Sequence, residues 1–152
     1  LAPAALLLLA AASDLRTREI PDAIPVLLGT TGAAYGAWAW GGSALAISAS
    51  AALACFCVGL VLFSMGQLGG GDVKLIAATM FWLPTENMGS FLILTAMAGG
   101  VVCLAAAASK FAGATLRNAG LAAALQAARR ASAPYAVAIA AGGILALPWR
   151  EV

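Results

Sequence analysis

Residues 23–71 carry not one charged side chain, and neither do residues 87–109. Stretches this long without charge cannot surface a water-soluble domain, in which about 25% of residues are charged. Over the whole chain of 152 residues the charged share is 9% and the hydrophobic share 63%, with a mean hydropathy of +0.99. There is too little polar side chain to coat the fold in water, so its solvent is lipid. In lipid each backbone segment must satisfy its own hydrogen bonds, which apolar runs of this length do as helices.

A spanning helix needs about 20 apolar residues, with roughly 17 to 25 tolerated. Segments 1–15, 24–40, 44–65, 73–83, 88–109 and 134–149 are the candidates. The fold class expected is all-α, a polytopic membrane helix bundle with a span from each segment. Their close spacing leaves no room for a soluble domain, so residues 1–152 are read as a single transmembrane domain. The first run resembles the apolar part of a secretory signal, but its positive charges follow it rather than precede it. It is read as a first span entered partway. Segment 73–83 is short, and is expected either to tilt or to be extended by the preceding glycines as irregular backbone. Such backbone is tolerated in a membrane only under a cover of protein or water.

Charge placement orients the spans. Arg16, Arg18, Lys74, Lys110, Arg117, Arg129 and Arg130 fall in loops after the first, third and fifth spans, and only Arg150 falls on the other side. Basic residues accumulate in cytoplasmic loops, which sets these loops inside and the N-terminus outside. Trp38, Trp40, Trp82 and Trp149 all lie at the opposite ends of spans, where an interfacial aromatic belt is expected. Residues 110–133 are polar enough to leave the bilayer as a helix lying on it, and their basic charge suits topology and anionic lipid.

Small residues supply close helix contacts. Gly32 and Gly36 form a G-x-x-x-G, and Gly99, Gly100, Gly142 and Gly143 lie on Ala-rich faces. Packing within one chain is the expectation for these, with a homo-oligomer interface as the alternative. Cys55, Cys57 and Cys103 lie inside apolar runs, and the chain has no His. A zinc ribbon is therefore excluded and a disulfide framework is not expected. No metal, no other cofactor and no nucleic-acid partner is expected.

The acids are Asp14, Glu19, Asp22, Asp72, Glu86 and Glu151. Glu86 and Glu151 belong to outside turns. Asp14 closes an otherwise apolar helix, and Asp72 opens one behind Gly69, Gly70 and Gly71. Carboxylates at a membrane boundary are costly to keep and usually mark function. Around Asp14 the chain reads as a helix end, a basic turn, then Pro21 at the next helix start, where its missing N–H costs nothing. Around Asp72 it reads as a glycine hinge before a helix whose N-terminal dipole favours a carboxylate. Two such carboxylates close together cannot both ionise, so the pair shares one proton. The ionised member takes a proton from water, and the protonated member polarises a peptide carbonyl. Such a site needs no other residue type.

The pairing of D-x-x-x-x-x-I-P-D, residues 14–22, with G-x-G-D-x-K-L, residues 69–75, resembles the type IV prepilin peptidase family. The run Pro134-Tyr135-Ala136-Val137-Ala138-Ile139 is similar to the small members that serve Flp, or tight-adherence, pili. The resemblance covers the chain in order. It implies a bacterial inner-membrane peptidase that cuts prepilins after a glycine, beside their apolar N-terminal segment, at the cytoplasmic face. Carried across by motif, Asp14 and Asp72 are the catalytic pair, and Gly69 and Gly71 shape the second site. Lys74 would tune Asp72, contact substrate or simply mark the inner face, and Asp22 would start a helix rather than act as a third acid. Larger members carry a cytoplasmic insertion with a four-cysteine metal site and also N-methylate the pilin. This sequence has neither the insertion nor those cysteines, so peptidase activity alone is expected. Its partners are then a prepilin and the bilayer. The rivals are a small ion-coupled transporter, which would set acids near the midplane in repeated halves, and a noncatalytic subunit of a pilus or secretion complex.

Overall fold

The computed structural model describes residues 2–116, 121, 123, 125–126 and 135–147. Each apolar segment is a helix: α1 Ala2–Thr17, α2 Ala23–Ala39, α3 Gly41–Ser64, α4 Gly70–Thr79, α5 Thr85–Leu116 and α6 Tyr135–Ala146. A single 3-10 turn, Met80–Trp82, follows α4. Most of the segment expected to lie on the membrane, together with Trp149, falls outside the described residues.

The protein is an all-α membrane helix bundle. Helices Gly41–Ser64 and Thr85–Ala114 are long and apolar enough to cross a bilayer, yet only 17% of the apolar window of each is buried. Leu53, Val58, Val61, Met97, Val101 and Leu104 on these helices are exposed. A surface so rich in large aliphatic side chains suits lipid and not water. Inside, Leu7, Leu28, Leu75, Met80, Phe91 and Ile139 are fully buried.

The chain reverses by local chemistry. Gly41 follows α2 at φ +81°, a dihedral glycine adopts freely, and it lets α3 begin at once. Gly66 ends α3 at φ +71°, with Gln67 N–H on Leu62 O at 3.0 Å and Gly66 N–H on Phe63 O at 2.9 Å. That is the Schellman pattern. At the fourth segment the expectation of irregular glycine backbone is corrected. Only Gly69 is extended, whereas Gly70, Gly71 and Asp72 form the first turn of α4. Ten residues rise only about 15 Å, half the thickness of the hydrocarbon core. Pro21 likewise precedes α2 rather than starting it, and Pro25 occupies the first turn instead.

Helix α6 occupies the middle of the bundle. It packs on α5, α1 and α4, whereas α1 and α4 hardly touch each other. The antiparallel α5–α6 pair is tied at one end by Asn87 Nδ2 donating to Ala146 O at 3.0 Å. Gly143 admits α6 between its neighbours, since a Cβ there would meet Leu7 of α1 at 2.8 Å and Thr79 of α4 at 3.5 Å.

The glycines of the G-x-x-x-G serve packing within the chain. A Cβ on Gly32 would lie 2.7 Å from Trp82 Cδ1, and one on Gly36 3.4 Å from Phe81 O. Trp82 itself is only 6% exposed. Its Nε1 donates to Leu28 O at 2.8 Å, and its ring stacks on Tyr35 with centroids 5.2 Å apart. Trp82 therefore leaves the aromatic belt expected from its position, because α2 offers it a glycine notch and a carbonyl. Trp38, at 83% exposed, faces outward.

Candidate active site

Asp14 lies one turn before the end of α1 and is 8% exposed. The helix stops because Arg18 turns left-handed at φ +58°, with its N–H bonded to Asp14 O at 3.0 Å. The chain beyond is clamped by hydroxyls. Ser13 Oγ donates to Glu19 O at 2.8 Å, and Thr17 Oγ1 reaches the same carbonyl at 3.2 Å. The next residue, Ile20, rests on Gly71: a Cβ on that glycine would stand 3.0 Å from Ile20 Cβ. The two sequence motifs thus interlock through Ile20 and Gly71, which places Asp72 beside the end of α1.

Asp72, 9% exposed, sits in the first turn of α4, where helix amides lack intrahelical acceptors. Its Oδ2 accepts the Gly69 N–H at 3.3 Å. Its Oδ1 is buried and has no hydrogen-bond partner among the described residues. A Cβ on Gly69 would come within 2.8 Å of Oδ2, so any other residue there would push the carboxylate aside. Asp14 Oδ2 accepts the N–H of Ala136, from α6, at 3.3 Å.

Both aspartates line one cavity of about 310 Å³, together with Gly69, Gly71 and Asp22. The two carboxylates lie within electrostatic reach of each other. Lys74 is not turned toward Asp72. Its Nζ pairs with Asp22 Oδ1 at 2.7 Å, at the rim, where the two side chains are 47% and 74% exposed. Asp22 starts α2 without a side-chain capping bond. Arg18, Glu19, Ile20 and Gly70 also line the cavity, and of these only Ile20 is a specified position of the quoted motifs, the others filling their variable places. The Ala136 amide escapes sequence reading altogether, because a main-chain donor leaves no residue signature. Among the described residues no group of three or more His, Cys, Asp or Glu is placed to hold a metal.

A cavity with two buried carboxylates, one carrying an unpartnered oxygen, can hold a water or a polar substrate atom between acid and base. The model of the type IV leader peptidase family matches residues 1–104. The chain belongs to the type IV leader peptidase family. As a member it is a peptidase, hence a hydrolase of peptide bonds. No curated protein and no solved structure matched the chain. The family match takes in both aspartate motifs and ends inside α5, so α6 lies beyond it.

Proposed function

We propose that this type IV leader peptidase is an aspartic endopeptidase that removes the leader of Flp-like prepilins at the cytoplasmic face of a bacterial inner membrane. The observation that carries the reading is the meeting of Asp14 and Asp72, with two helices between them in sequence, on one cavity where Asp72 Oδ1 lacks a partner among the described residues. With one proton between them, the ionised carboxylate takes a proton from water. The resulting hydroxide adds to the scissile carbonyl carbon while the protonated carboxyl donates to the carbonyl oxygen. Collapse of the tetrahedral adduct breaks the C–N bond: one adduct hydroxyl returns its proton to the carboxylate that had protonated the carbonyl oxygen, and the leaving amine takes its proton from the carboxyl that received one from water. One water is consumed and the pair returns to its starting state.

Gly69 and Gly71 let main chain come close on the Asp72 side, and the Asp22–Lys74 pair borders the entrance. The gathering of basic residues supports a cytoplasmic site with the N-terminus outside. The run 134–139 supports the Flp-type substrate. Methyl transfer is not part of the reaction, and no cofactor takes part. Residues 1–152 act as one unit in this reading.

The test is purified protein with a prepilin bearing glycine at the cleavage point, followed by the appearance of mature pilin. Asp14→Asn and Asp72→Asn should each abolish the product while the protein stays in the membrane, since an amide supplies neither role. Near-parent cleavage by either variant would remove that residue from the mechanism.

A further inference from the structure

The carboxylate of Asp14 is held by a residue well outside the matched segment, and this has a counterpart at Asp72. In each aspartate one oxygen, Oδ2, accepts a main-chain amide at a helix N-terminus: Gly69 N–H at the start of α4 and Ala136 N–H in the first turn of α6. We propose that α6 belongs to the catalytic apparatus, with the Ala136 amide fixing the orientation of Asp14 and Tyr135, seated on Gly99, fixing the amide. The proposal rests on the aspartic-peptidase reading above and names positioning residues for it.

Three observations support it independently of the match. Ala136 is completely buried and Asp14 nearly so, so water does not compete for the bond. The amide lies in the first described turn of α6, Tyr135–Ala146, and an amide at the start of a helix favours a carboxylate. The helix is also held in place at the site. A Cβ on Gly99 would overlap the phenol edge of Tyr135, so Gly99 is the notch that receives the ring. The hydroxyl on that ring lies within electrostatic reach of Asp72. Farther along, Gly142 lies against Thr95, and Gly143 lies between Leu7 and Thr79. These contacts leave α6 little freedom to slide, which suits an element that must place one amide. With Oδ2 tied, the other oxygen of Asp14 is the one left to face water or substrate.

The test compares two prolines in the same helical turn, where proline is tolerated best. Ala136→Pro deletes the amide that Asp14 accepts, and Val137→Pro deletes its neighbour. Ala136→Pro should lower kcat for prepilin cleavage by roughly tenfold to a hundredfold, the cost of a misplaced catalytic group, with KM little changed. Val137→Pro should stay within a few-fold of the parent. Parent-like kcat in Ala136→Pro, or equal losses in both variants, would overturn the role of the amide. Tyr135→Ala should likewise lower kcat rather than raise KM, and Tyr135→Phe should restore it because the ring still fills the notch. A Tyr135→Phe variant as slow as Tyr135→Ala would overturn the seating role. The arms separate the two readings. If Asp14→Asn still cleaves, the aspartic mechanism fails, whereas an inactive Asp14→Asn beside a fully active Ala136→Pro refutes only the present proposal.

Discussion

A methyl group on Gly71 would meet Ile20 at three of its carbons, the nearest at 3.0 Å, and the branches of a valine would reach further. Ile20 cannot retreat freely, because Glu19 O just before it is held by Ser13 and Thr17. Gly71→Val should therefore separate the two motifs and cripple cleavage by about a hundredfold or more, since small misplacements of catalytic groups cost that much. Gly89, with no described residue within 4 Å of its would-be Cβ, provides the contrast: Gly89→Ala should leave initial rates unchanged. A Gly71→Val enzyme as fast as Gly89→Ala would show that the interlock does not set the site. Asp22→Asn should be mild. It breaks an exposed ion pair, worth about 0.2–1 kcal/mol, and the rate should fall no more than several-fold. At this scale Asp14 and Asp72 were legible in the sequence because a carboxylate at the edge of an apolar run stands out. Gly71 was legible as special, but its observed contact is with Ile20 of the same chain. The sequence suggested an approach of backbone to substrate, since it could not show which neighbour the missing side chain admits.

Among the elements, α2 and the 3-10 turn after α4 depend on one another through Trp82. The indole fills the notch at Gly32 and donates to Leu28 O. Gly32→Val would place carbon where Trp82 and Phe81 now lie, and overpacking of this kind costs about 1–3 kcal/mol. Trp82→Phe would lose a buried hydrogen bond worth about 1 kcal/mol and leave part of the notch empty. Both variants should lower the thermal midpoint in detergent, Gly32→Val by reducing fit and Trp82→Phe by reducing contact. A double variant whose midpoint equals the sum of two independent losses would show that the residues do not share the contact. The apolar segments were legible as helices because lipid leaves the backbone no other choice. The facing of Trp82 was not. A tryptophan at the end of a span has the depth expected of an interfacial residue, and only the partner helix decides whether it points out or in.

For the whole molecule, the element order places the end of α1 and the start of α5 at opposite ends of the bundle, because α1, α3 and α5 alternate in direction with α2 and α4. Thr17 and Glu86 are exposed at those two ends. The proposed function sets the aspartate end in the cytoplasm, because Arg16, Arg18, Lys74 and Lys110 gather there and Glu86 stands at the other end. Under the proposed function the cavity faces the compartment that holds the leader, so orientation and substrate geometry are tested together. Starting from a variant in which Cys55, Cys57 and Cys103 are replaced by alanine, Thr17→Cys and Glu86→Cys can each be treated with a membrane-impermeant maleimide. In intact spheroplasts Glu86→Cys should be labelled and Thr17→Cys spared, and permeabilisation should expose Thr17→Cys. The reverse pattern would turn the molecule over, put Asp14 and Asp72 on the outer side, and remove the route by which a cytoplasmic leader reaches them. Labelling of both before permeabilisation would mean that α1 to α5 do not cross the bilayer in the alternating order of the bundle. Only the first pattern agrees with the proposed function, in which a scissile bond beside an apolar pilin segment reaches the depth of the two carboxylates.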